Sequence, residues 1–78
     1  MDNEFKKFDF VYDKRWDRFG IVRENPRKIM MTVAVDVYSH NGIGPSLVGV
    51  EHWWKHNTIK CQGPDTPQNR LAIQLKYS

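Results

Sequence analysis

From Ile29 to Tyr38 the chain alternates without a break. Ile29, Met31, Val33, Val35 and Val37 fall on one parity, and Met30, Thr32, Ala34, Asp36 and Tyr38 on the other. A period of two over that length is the mark of a β-strand with one buried face. It constrains everything else, because such a strand needs neighbours on both sides and a core to face. Val and Ile outnumber Ala and Leu by 12 to 5, a β-branched excess that favours strands over the whole chain.

Shorter runs supply the neighbours. Phe8, Phe10 and Tyr12 share one parity, giving a first strand, and Arg18 to Glu24 gives a second. Asn25-Pro26 has turn chemistry, so the second strand and the long third one are expected to form a hairpin. Asn41-Gly42, Gly44 and Pro45 make a loop suited to left-handed backbone angles. Ser46 to Val50 reads as a fourth strand, Glu51 to His56 as a single helical turn, and Thr58 to Cys61 as a return to β. Gly63-Pro64 and Thr66-Pro67 mark a loop. In Arg70 to Ser78, Leu71, Ile73, Leu75 and Tyr77 alternate with other residues, which reads as a closing strand. The expected fold is mainly β: a small five- to six-stranded antiparallel barrel with one short helical turn. Closure would also deal with the exposed edges of so short a sheet. Residues 1–6 read as a flexible N-terminus and 7–78 as one barrel domain.

At 78 residues and 9.3 kDa the chain is too small for a Rossmann, TIM-barrel or P-loop enzyme. The single cysteine, Cys61, rules out an internal disulfide and a Cys-rich zinc finger. No apolar run approaches the ~18 residues of a membrane span, and Met1 to Lys7 has no apolar signal core. The expectation is a small cytoplasmic domain without membrane contact. Twelve Lys and Arg against nine Asp and Glu give a net charge of +3. That is compatible with an anionic partner and equally with an ordinary solvated surface.

The stretch Asp9-Phe10-Val11-Tyr12 … Trp16-Asp17-Arg18-Phe19-Gly20-Ile21-Val22 resembles the opening hairpin of SH3-like and Tudor-like barrels of the KOW, CarD and UvrD-helicase-tail type. Those hairpins pass from a Val-rich strand through a loop with a basic or aromatic residue and enter the next strand as Gly-x-Val, here Gly20-Ile21-Val22. The likeness covers about the first 25 residues, and Phe8-Asp9 stands where Gly-Asp is usual. It implies a binding module rather than an enzyme. The implied partner is a protein of the transcription or DNA-processing machinery, such as RNA polymerase, and nucleic acid is the alternative. Small barrels of this kind resemble those that bacteriophages and mobile elements use to redirect a host complex.

The residues themselves suggest where binding occurs. Trp16, flanked by Arg15 and Arg18 in a loop, combines apolar area with planar donors, the types that dominate interface hot spots. Asn41 and Ile43 in the glycine-rich loop, and Trp54 if Trp53 is the one turned inward, complete the expected partner-binding set. For nucleic acid the set is Lys14, Arg15, Trp16, Arg18, Arg23, Arg27 and Lys28. His52 and His56 would stand at i, i+4 on a helical turn with Cys61 following, a spacing that can share a metal. The Glu of a zinc-protease HExxH is missing, and two solvent-facing histidines explain the string as well, so no metal is assigned. Cys61 near those histidines is a conceivable nucleophile, and Asp9, Asp13, Asp17 and Asp36 are not spaced as an acid–base pair. No catalytic residue and no cofactor is expected.

Overall fold

The computed structural model describes residues 4–78; of the expected flexible start, Met1–Asn3 lie outside the described residues. Five strands form one antiparallel sheet: β1 (Phe10–Asp13), β2 (Arg18–Val22), β3 (Thr32–His40), β4 (Pro45–Trp54) and β5 (Thr58–Lys60). Their order across the sheet is β4-β3-β2-β1-β5. A 3-10 turn (Lys55–Asn57) joins β4 to β5, and a helix, α1 (Pro67–Lys76), ends the chain. The protein is thus mainly β, as the alternation requires.

The connection from β4 to β5 dictates the shape. In a flat sheet of this order the outermost strands would lie four spacings apart, ~19 Å. The 3-10 turn advances about 2 Å per residue, so it carries the chain only ~8 Å from Trp54 to Thr58. The sheet must therefore curl until the end of β4 meets the start of β5. Lys14 N–H donates to Asn57 O (3.1 Å) and Thr58 Oγ1 donates to Trp54 O (2.8 Å), tying that junction to the first loop and to itself.

Curling encloses one face. Val11, Val22, Val33 and Val35 are fully buried, and Val37, Trp53 and Phe5 complete the cluster. Gly20 is required where β2 passes β3, because a Cβ there would lie 2.6 Å from Asp36 O and clash with the Val35 side chain. The outer face of β1 and β2 carries Tyr12 and Phe19, with ring centroids 4.7 Å apart. Over them lies α1. The Arg70 guanidinium sits 4.6 Å from the Phe19 ring centre, and Tyr77 stands 6.3 Å from Tyr12.

Several expectations need correction. The segment Arg70–Ser78 is not a closing strand but most of a helix. Thr66 Oγ1 accepts from Asn69 N–H (3.1 Å) as N-cap and Pro67 occupies the first turn, a start signal stronger than alternation in so short a run. Glu51–His56 is not a helical turn. β4 continues through it because His52, Trp53 and Trp54 pair with Ala34, Val33 and Thr32, and tertiary pairing overrides local pattern. Only Lys55–Asn57 turns. β3 begins at Thr32, leaving Ile29 and Met31 exposed in the connection 23–31. Met30 N–H donates to Arg27 O there, and Lys55 Nζ donates to the same carbonyl (2.8 Å). Phe8 lies outside β1, with φ +78° and an exposed ring. Phe5 is core, so the chain is anchored earlier than residue 7.

Candidate functional site

The β1–β2 connection is short and held from within. Asp17 takes the left-handed conformation (φ +57°), and its N–H donates to Asp13 O (2.8 Å), closing the turn. Asp13 is buried, with Oδ1 accepting from Arg15 N–H (3.0 Å). Asp17 Oδ1 accepts from the Tyr12 hydroxyl (2.8 Å) and from Gln74 Nε2 of α1 (3.1 Å). Every acid of the loop is thus spent on its own shape. Asp and Asn side chains do this readily, because they can stand in for backbone turn partners.

What the loop presents outward is Trp16. Its side chain does not fold over Tyr12 or Phe10: the residue is 62% exposed, and the Arg15 guanidinium lies 5.1 Å from its ring centre. Between this loop and the second half of β4 runs an open cleft of about 400 Å³, lined by Asp13, Arg15, Trp16, Val50, Glu51, His52, Trp53, Trp54 and Asn57. Consecutive β4 residues point to opposite faces, so a cleft lined by all of Val50–Trp54 follows the strand's free edge.

The cleft floor is charged and satisfied. Glu51 Oε1 accepts from Trp53 Nε1 (3.0 Å), and its other oxygen pairs with Arg18. The Trp53 bond, with the Arg18 guanidinium in support and against the cost of burial, holds the Glu51 carboxyl below its ordinary range. Trp53 is buried and Trp54 is 45% exposed on the rim, which is the division that alternation along a strand demands. Arg15, Trp16 and Trp54 therefore meet at one cleft, with Arg18 reaching it through Glu51. Asn41 and Ile43 do not line it. Their loop is an Asx turn, Asn41 Oδ1 accepting from Ile43 and Gly44 N–H, with Ile43 95% exposed.

Half of the six cations in the nucleic-acid set are paired with carboxylates. Arg18 pairs with Glu51, Arg23 with Asp36 (3.1 Å) and Lys28 with Glu4 (3.5 Å). Among the described residues, Lys14, Arg15 and Arg27 have no carboxylate within ion-pair distance.

Histidine and cysteine chemistry takes another form than the helical spacing suggests. His52 lies in β4, His56 in the 3-10 turn beside the Trp54 ring (5.9 Å), and Cys61 beyond β5. Among the described residues no three or more His, Cys, Asp or Glu side chains gather as a metal site. Burial, then the Asp65 charge, push the Cys61 thiol up to about 12 against the opposing pull of Arg70. A thiol so placed holds its proton at neutral pH and is a poor nucleophile. Among the described residues no helix is long and apolar enough to cross a membrane.

Two features of the site escaped sequence reading. The local pattern puts Glu51 in a helical turn, and only the long β4 brings it to Arg18. Asp17 as the pin of the loop has one signal, an Asp at the end of the short stretch between the first two strands. Comparison with protein-family models, with curated proteins and with solved structures finds no match to this chain.

Proposed function

We propose that this protein is a non-enzymatic interaction module that binds a protein partner in the cleft between the 14–17 loop and β4, with Trp16 as the anchor. One observation carries the reading: a large aromatic residue stands 62% exposed on a loop whose acids pin it in place. A rigid aromatic anchor loses little entropy on binding, and such residues dominate interface energetics. Trp54 and Arg15 on the same cleft add area and planar donors.

We further propose the SH3-like architecture. The strand order, with one helical turn between the last two strands, supports it, as does the close strand approach at Gly20. With that likeness comes the partner class, a protein of the transcription or DNA-processing machinery, and the picture of a phage-type regulator that redirects a host complex. Pairing of Arg18, Arg23 and Lys28 with carboxylates favours a protein over nucleic acid.

The test is capture of partners from lysate with and without nuclease, followed by titration of the purified partner. Trp16→Ala is expected to weaken binding by about 2 kcal/mol or more, some thirtyfold, with little change in melting temperature. Binding that disappears with nuclease and falls steeply with salt would replace the protein partner by nucleic acid. Unfolding of Trp16→Ala would show the residue to be structural.

A further inference from the structure

We propose that β4 pairs with β4 of a second copy of this chain, antiparallel across Ser46–Val50 and centred on Val48. β4 ends the sheet, and its first half lies beyond the 14–17 loop that walls its second half. A register shift between Val37 and Tyr38 marks a bulge in the β3–β4 ladder, and bulges bend and twist the strands that carry them. Val48 is the extra residue of that bulge and is 65% exposed, and Leu47 beyond it is 60% exposed. Val50 on the other side of the bulge is 45% exposed, so the half-strand lacks cover along its length.

Natural sheets protect such edges with charge, above all lysine. Here that charge is missing, and the bulge at Val48 and the proline at position 45 are the edge devices the half-strand carries. From Val37 to Val50 there is no Asp, Glu, Lys or Arg, in a chain that is 27% charged. A highly charged partner finds nothing to pair with. A second copy meets no like charge, despite the net +3 that each carries. Centring on Val48 sets Leu47 of one copy opposite Gly49 of the other. The space over Gly49 is open, since a Cβ placed there would meet no atom within 4 Å.

The alternative for a free edge is β5 of the next molecule, which would repeat without end. β5 is three residues long and carries Lys60, half-exposed and paired with Asp9. It offers a short, charged ladder. Pairing of β4 with itself uses the same surface on both copies and stops at two. Pro45, which has no N–H to give, marks where the ladder ends.

Sedimentation across a concentration series is expected to show a monomer–dimer equilibrium. Val48→Lys should weaken it at least tenfold, with the melting temperature of the dilute monomer unchanged. Leu75→Lys, at an exposed position on α1, should leave it as it was. In a Cys61→Ser background, Val48→Cys with oxidised glutathione should give a covalent dimer, because Cα atoms facing across the two-fold lie ~4.5–5.5 Å apart, within disulfide range. Ile43→Cys, more exposed but off the axis, should cross-link far more slowly. A wild-type protein that stays monomeric at about 100 μM, an unaltered dimer in Val48→Lys, or equal cross-linking at residues 43 and 48 would each overturn the proposal.

Discussion

The inner face of the curled sheet is filled by Val11, Val22, Val33, Val35 and Val37 with Trp53 and Phe5, whereas the outer face of β1 and β2 carries Tyr12 and Phe19 beneath a helix with no buried residue. The inner valines and Phe5 ask only to be kept from water, each such side chain contributing about 1.5–3 kcal/mol on burial, and Trp53 adds one bond to Glu51. The outer ones are held by direction as well as area. Tyr12 donates to Asp17, and Arg70 stacks on Phe19 while donating to Tyr38 O (3.1 Å) and Asp65. A polar clamp of this kind depends on protonation and on a few bonds. A valine core does not. The difference teaches that strand order and curl are set from inside, while the outer layer adds the helix and, through Asp17, fixes the loop that presents Trp16.

The sharpest way to break the comparison is to charge the inner face. Val35 is fully buried between β2 and β4. Val35→Asp should abolish cooperative melting, because an unpaired charge there costs more than so small a domain has in reserve. A soluble variant with a normal melting transition would show that the inner face is not the core.

A smaller effect separates the faces by pH. Burial first, then the bond to Asp17 and the neighbouring carboxylates, push the Tyr12 hydroxyl from 10.0 up to about 12. The Cys61 thiol rises from 9.0 to about 12. Both native values lie above the unfolded ones, so the folded state holds protons that the unfolded state releases. Stability is full below pH 9 and falls as pH rises toward 12, with Tyr12 alone accounting for on the order of 3 kcal/mol. Denaturant melts at stepped alkaline pH should show the fall. Tyr12→Phe should flatten it between pH 10 and 12, and Cys61→Ser should flatten it from pH 9. Equal slopes in all three proteins would mean that neither group is linked to folding.

The inner face was largely legible in the sequence. Val33, Val35 and Val37 announced themselves by alternation, and Gly20-Ile21-Val22 marked the close strand crossing, because a pleated sheet writes its buried face directly into residue parity. The outer layer was not. Leu71, Ile73, Leu75 and Tyr77 satisfy a strand's alternation, while Leu71 with Leu75 and Ile73 with Tyr77 also satisfy a helix's i, i+4 spacing. Thr66-Pro67 decides between the two as a helix start, and it doubles as loop chemistry when read alone. At the candidate site, Trp16 could be placed on an exposed loop from its neighbours. Glu51 could not be placed, since its meeting with Arg18 depends on the curl of the sheet rather than on any local pattern.

The smallest effect sharpens the comparison most, because it asks whether the outer layer is a separate unit. α1 touches the sheet through Arg70, Gln74 and Tyr77, and Leu71 and Leu75 are exposed. A layer with so little burial should open without the core, at a free energy below that of global unfolding. Tyr77→Ala removes one aromatic contact, a loss of ~0.5–1.5 kcal/mol, and that loss should fall on the helix alone. Native-state hydrogen exchange is expected to show faster exchange at the amides of Leu71 to Tyr77. The amides of Val33, Val35 and Val37 should keep their protection to within about 0.5 kcal/mol. The loop gives an internal control, since Gln74 reaches Asp17 and the Asp17 amide donates to Asp13 O. That amide should lose protection with the helix if the outer layer steadies the loop, and keep it if the loop is held by Tyr12 and Asp13 unaided. Equal loss at β3 and at α1 would make the two faces one cooperative unit and remove the distinction between them.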